Sequence, residues 1–316
     1  MIFQFKNVSL NILKINMKKL KVAFYGDSEW ALNTLETLLR REDCILIDVF
    51  VRFPNGDKTI KNFCEKNNIN YLKIEKINTF FEINKKVYDL GISVSYDQIF
   101  REKTILSHRL GIINCHAGDL PDFKGRNVIN WALINNQKYL GITSHFVDNE
   151  VDTGGIIEKQ MISIKNDDDY GTLLEKAYKK CPEIINRSIN LIIDKKFSPK
   201  LQKKIKEFPI YCSKRRVGDE LINWNDSSLN IHNFIRALAH PGPLAQTTII
   251  DKKVYIKKSI FFDSAPKYID KPGTILKKDS EGIIVKTGDT YILINEWICD
   301  TLLKVGDRFE NGLNNC

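Results

Sequence analysis

The chain has 316 residues, 43% hydrophobic and 28% charged, the composition of an ordinary globular protein with room for two medium domains. Its 48 Lys and Arg against 39 Asp and Glu give a net charge of +9, and these cations are scattered rather than blocked, so a solvated basic surface is a plainer reading than a nucleic-acid or membrane patch. No apolar run reaches the ~18 residues of a membrane span, and the seven Cys form no CxxC pair, which together lead us to expect a soluble, cytoplasmic protein with reduced thiols.

The first sixteen residues, "MIFQFKNVSLNILKIN", lack the small residues that close a secretory signal. A second Met, Met17, stands directly before "KKLKVAFYGDSEWAL", so residues 1–16 are expected to be a non-native or disordered extension and Met17 the true start. "KVAFYG" (21–26) then reads as a strand, and "SEWALNTLETLLRR" as a helix capped by Ser28. The alternation repeats: "CILIDVFV", "DKTIKNFCEKNN", "YLKI", "DLGISVS", "QIFREKTILSHRL", "GIINCHAG", "GRNVINWALINN". "GITSHFVD" and "IIEKQMISI" add two strands, and a long helix follows from the acidic "DDDYGTLLEK", whose three Asp suit helix capping better than a metal. This pattern predicts an α/β domain with a Rossmann-like, mainly parallel sheet and helices on both faces, over residues 17–200.

From about residue 200 the texture changes. A basic, irregular linker (201–219) leads to one helix, "SSLNIHNFIRALAH", and then to the short pieces "TTIID", "KVYIKKSIFF", "GTILKKD", "GIIVKTGD" and "YILINEW". Brief strands separated by turn residues predict a smaller β-rich, OB-like barrel over residues 220–316.

Two motifs are missing. "YGDSEW" has one Gly where a dinucleotide fingerprint needs three, and there is no phosphate loop, so NAD, FAD and nucleotide hydrolysis are not indicated. The chemistry gathers instead in "INCHAGDLPDFKGRNVINWAL" (113–133). Residues two apart on a strand point the same way, so Asn114 and His116 share a face at a strand's carboxyl end, where open parallel sheets bind ligands. An amide donor beside an imidazole suits a reaction that builds an oxyanion and moves a proton. The imidazole needs an orienting carboxylate, and "VDNEVDTGG" offers Asp148, Glu150 and Asp152; spacing alone does not choose among them. His145, His232 and His240 are read as structural, and Trp131 as core.

"NCHAGDLPDFKGRNVINWAL" followed by "GITSHFVDNEVDTGGII" resembles the formyltransferase family that uses N10-formyltetrahydrofolate. "FYGDSEWALNTLETLL", "SVSYDQIFREKTI" and "RRVGDELINWNDSSLNIHNFIRALAHPGP" are similar to its first strand and helix, its folate-side loop and the start of its smaller domain. The resemblance implies Asn114, His116 and Asp152 as the catalytic group, Tyr96, Asp97, Gln98, Ile99 and Asp148 at the folate, and no metal. Asp119 departs from the family's apolar Leu at the head of its Leu-Pro run. Of the family's acceptors, the likeness of "GRNVINWAL", "SYDQIF" and "HFVDNEVDTGGII" is greatest to sugar N-formyltransferases, so the expected partners are folate and a nucleotide-linked amino sugar for surface polysaccharide. Gly118, Lys124, Gly125, Arg126 and Asn127 would bind this substrate, with Lys124 and Arg126 near a helix N-terminus placed for a pyrophosphate. Relatives acting on methionyl-tRNA carry a longer basic insertion where this chain has "VRFPNGDKTIKNFCEKN", which argues against nucleic acid and leaves methionyl-tRNA formyltransferase as the alternative. A homodimer is compatible with this reading.

Overall fold

The computed structural model describes residues 19–194 and 197–311; the expectation for Met17 and residues 1–16 lies outside them. Among the described residues, packing divides the chain into two compact units, one of residues 19–116, 142–160 and 178–207, the other of residues 117–141, 161–177 and 208–311.

The first unit is built on β1 (Leu20–Gly26), β2 (Cys44–Val51), β3 (Asn70–Lys73), β4 (Leu90–Val94) and β5 (Ile112–His116), with α1 (Ser28–Leu39), α2 (Lys58–Lys66), α3 (Ile77–Asn84) and α4 (Glu102–Leu106) between them. With β7 (Tyr139–Phe146) and β8 (Ile156–Ser163), the sheet order is β3-β2-β1-β4-β5-β7-β8. The pairs from β3 to β5 are parallel and β5–β7 is antiparallel, so the sheet is mixed but mainly parallel, as expected. Strands such as LGISV are buried along their whole length, which explains their continuous apolar reading. Tyr25, Phe50, Phe81, Tyr88 and Phe100 form an aromatic core on this sheet. Within it the Tyr25 hydroxyl lies 2.9 Å from His108 Nε2, and burial lowers the His108 pKa to about 4.

Three local details differ from expectation. Asp27, not Ser28, occupies the cap position of α1, and it makes no side-chain cap bond. Ser28 has φ +68° and donates its N–H to Asp57 Oδ2 at 2.9 Å, a partner too far along the chain for a local rule to find. The helix expected over 98–110 shrinks to α4, because Gln98 and Arg101 are engaged with α3: Gln98 Oε1 accepts from Ile77 N and Arg101 N donates to Asn78 Oδ1.

The other unit holds β6 (Lys124–Gly125), α5 (Val128–Ile134), β9 (Tyr211–Cys212), α7 (Ser228–Ala237), β10 (Ala245–Ile249), β11 (Lys252–Ile260), β12 (Ile275–Asp279), β13 (Gly282–Lys286) and β14 (Tyr291–Cys299). The last five strands form an antiparallel sheet, ordered β10-β11-β14-β13-β12. Antiparallel bridges from Glu310 to Thr248 and from Arg308 to Thr274 join the tail to both edges. Trp224 anchors the core, stacked on Phe309 at 5.3 Å with its indole N–H on Thr247 Oγ1. The long helix α6 (Tyr170–Ile193) starts after Asp169, whose Oδ1 accepts from Thr172 N at 2.9 Å, so at least this acid of the run caps the helix. No helix among the described residues is long and apolar enough to cross a membrane.

Candidate functional site

β5 carries Asn114 and His116 to the carboxyl end of the parallel set. Cys115, between them, turns away to the other face, where its thiol pKa is pushed up by burial first and then by Cys181. Because β7 runs antiparallel beside β5, Asn114 lies directly opposite His145, and His116 opposite Thr143. Opposed residues of such a pair share a face with their Cβ atoms about 5 Å apart. Accordingly Asn114 Nδ2 lies 3.2 Å from His145 Nε2, while His145 Nδ1 lies 2.7 Å from the Phe146 carbonyl oxygen.

The carboxylate arrives on the turn after β7. Asp152 has φ +56°, a left-handed conformation that aspartate tolerates better than most residues. At Gly154 a side chain would collide with the Phe146 carbonyl, so the turn requires glycine there. The Gln202 amide donates to the carbonyls of Asp152 at 2.9 Å and Gly154 at 2.7 Å, fastening the turn from a distant segment. These constraints set Asp152 Oδ2 3.6 Å from His116 Nδ1 and Asp152 Oδ1 3.4 Å from His145 Nε2. Both distances exceed a tight N–H···O bond. Of the three candidate acids, then, Asp152 joins the histidine. Asp148 is exposed and its Oδ1 accepts from Thr153 Oγ1 at 2.6 Å and from Glu150 N at 3.2 Å, closing the turn. His145, read from the sequence as structural, is buried and bonded to Asn114 and to the Phe146 carbonyl; its register opposite Asn114 is something spacing along the chain does not display.

The expected folate-side residues occupy the loop after β4. Tyr96 stacks on Phe100 at 5.6 Å, and burial raises its phenol pKa well above the usual value. The Gln98 side chain is engaged within the protein: besides Ile77 N, its Nε2 donates to Ile74 O at 2.8 Å and to the Tyr96 hydroxyl at 3.0 Å. Asp97 and Ile99 are exposed, Ile99 by 61%. The Arg52 guanidinium, between β2 and α2, donates to the Ser95 carbonyl at 2.7 Å and to Ser95 Oγ at 2.8 Å.

The expected substrate residues belong to the other unit. Lys124 is buried, its ammonium 5.6 Å from the centre of the Tyr211 ring, so it is not the cation of a solvated turn. Gly118 is buried too, and Gly125, at φ +100°, lies against the Cys212 carbonyl where a side chain would not fit. Arg126 and Asn127 are exposed; Asn127 Oδ1 accepts from Arg215 N at 3.0 Å. Helix α5 begins at the next residue but has only seven residues. No group of three or more His, Cys, Asp or Glu side chains able to hold a metal occurs among the described residues.

Comparison with known proteins bears on this arrangement. Residues 61–189 match the Formyl transferase family model, and residues 215–300 match that of the Formyl transferase C-terminal domain. Over 297 residues the chain is 30% identical to methionyl-tRNA formyltransferase of Mycoplasma mycoides, covering 88% of this chain and 90% of the relative. The fold is similar to that of WlaRD, a sugar 3N-formyl transferase crystallised in the presence of dTDP and 5-N-formyl-THF (TM-score 0.65, 22% identity, 91% of this chain, 100% of that one). It is similar also to the N-formyltransferase of Helicobacter canadensis in complex with folinic acid and dTDP-3-aminofucose (TM-score 0.67, 20% identity, 88% of this chain, 100% of that one).

Proposed function

The chain belongs to the formyl transferase family, and from that premise we propose that it moves the formyl group of N10-formyltetrahydrofolate to the amine of a nucleotide-linked amino sugar, a precursor of surface polysaccharide. Folate-dependent formyl transfer comes with the family; the sugar acceptor and the residue roles are our reading. The observation that carries the acceptor is the connection between β2 and α2. It spans residues 52–57 and holds one arginine, whose guanidinium is bound to Ser95. A tRNA-binding loop needs cations turned outward to several phosphates, and this connection does not offer them.

In this mechanism the acceptor amine forms a bond to the formyl carbon, and the carbonyl electron pair moves to oxygen. Asn114 Nδ2–H and protonated His116 stabilise that oxyanion. Asp152 orients the imidazole and favours its charged form, supported by the 3.6 Å separation of Oδ2 and His116 Nδ1. As the carbon–N10 bond breaks, the imidazolium of His116 gives its Nε2 proton to the departing nitrogen, and the neutral ring then takes up the proton lost by the attacking nitrogen, so no proton is gained or lost overall. On the substrate side, Arg126 is exposed and is our candidate for a pyrophosphate contact, and the packing of Lys124 on Tyr211 supports a role in the wall.

A second reading, formylation of methionyl-tRNA, is favoured by the 30% identity to the Mycoplasma mycoides enzyme. One experiment separates the two: tetrahydrofolate release is followed with N10-formyltetrahydrofolate and either dTDP-linked amino sugars or methionyl-tRNA. Turnover with an amino sugar supports the proposal. Turnover with methionyl-tRNA alone, accompanied by tight binding that falls steeply with salt, replaces it with the second reading.

A further inference from the structure

We infer that His145 is a positioning residue for formyl transfer, acting through the Asn114 amide. A carbonyl oxygen can only accept, so the 2.7 Å contact with Phe146 O requires His145 Nδ1 to carry a proton. A neutral imidazole has one N–H, which leaves Nε2 with a bare lone pair. Only the nitrogen of the Asn114 amide can satisfy that lone pair, and Nδ2 is the atom found 3.2 Å away. One Asn114 hydrogen is thereby held by His145, and amide planarity fixes the direction of the other, the one available to a developing oxyanion. A reversed amide would present an oxygen there instead.

The same tautomer decides how Asp152 is used. Its Oδ1 lies 3.4 Å from the bare Nε2 and receives no proton from it, so between the two rings the proton donor to Asp152 is His116 Nδ1. His145 thus aims the amide and leaves the carboxylate to His116. Cross-strand register enforces this, since Asn114 and His145 are directly opposed on β5 and β7.

The tautomer can be read without any acceptor, so this test stands or falls apart from the sugar assignment. Imidazole 15N resonances of the full-length protein at neutral pH, with His145 assigned by its disappearance in His145→Gln, should show a protonated Nδ1 and a bare Nε2. A protonated Nε2 overturns the inference. The kinetic arm rests on the formyl transfer reading and uses the acceptor that the wild-type protein formylates. The Gln amide oxygen can replace the Nε2 lone pair, so His145→Gln should keep kcat within about tenfold of wild type. His145→Leu should lose on the order of 100-fold in kcat at unchanged KM for N10-formyltetrahydrofolate. Equal kcat in the Gln and Leu variants overturns the inference even where both fold.

Discussion

Asp152 and Asp168 are both carboxylates withdrawn from solvent, and they face side chains of different chemistry. Asp168 is fixed by short bonds from fixed donors: Lys176 Nζ at 2.6 and 2.7 Å, Lys165 N at 2.7 Å and Thr172 Oγ1 at 3.1 Å. Burial pushes its carboxyl up, but those bonds, Lys176 first, bring the net pKa below the ordinary carboxylate value. Asp152 faces two imidazoles instead, His145 Nε2 at 3.4 Å and His116 Nδ1 at 3.6 Å. The ammonium partner of Asp168 serves the fold, whereas the imidazole partners of Asp152 are the ones our proposed mechanism uses.

The sharpest way to break that contrast is to remove members of the group around Asp152. Asn114→Ala, His116→Ala and Asp152→Ala should each reduce turnover by on the order of 100-fold or more while far-UV circular dichroism stays unchanged. Near-normal turnover of His116→Ala would end the assignment.

Buried histidines provide the next largest effect. Burial lowers His108 and His232 to about 4, so both are neutral in the folded chain at pH 6 but can protonate once it unfolds. A depressed imidazole pKa gives stability that is complete above the unfolded value near 6.5 and is lost as pH falls from there to about 4. For His108 this difference amounts to about 3 kcal/mol. Melting temperature should therefore fall between pH 6.5 and 4, and His108→Gln should flatten that slope; an unchanged slope would contradict the shift.

For the firmly held carboxylate, Asp168→Ala should cost about 2 kcal/mol, less than a fully buried pair because Lys176 reaches solvent. Denaturant midpoints measure it, and turnover per folded molecule should not move. The smallest effect concerns Asp27, whose buried Oδ1 has no hydrogen-bond partner and whose pKa is raised by burial and then by Asp57. A raised carboxyl pKa favours the fold at low pH and costs stability once the group ionises, so Asp27→Asn should stabilise the protein at pH 7 by less than about 1 kcal/mol. A lower melting temperature at that pH would refute the sign.

The strands were legible because "CILIDVFV" and "GIINCHAG" are largely apolar runs, the second closed by glycine, and their carboxyl-terminal halves are mostly buried. The five C-terminal strands, too, fall within a few residues of their expected places. Helix α3 was invisible, since the eight residues "INTFFEIN" follow β3 closely, Lys76 at the cap position makes no side-chain cap bond, and the first N–H is met by Gln98 from beyond β4. The two-residue strands β6 and β9 pair across more than eighty positions, a contact no local pattern encodes. At the candidate site, family likeness named Asn114, His116 and Asp152, and the structure brings Asp152 within 3.6 Å of His116; the closeness of His145 to Asn114 was not legible, because it is set by register rather than spacing.

The double anchor of Gln202 has a practical corollary. Any attempt to trim this enzyme to a minimal working fragment must retain position 202, because a truncation at residue 200 would keep every strand of the large sheet and discard the amide that ties down the carboxylate-bearing turn.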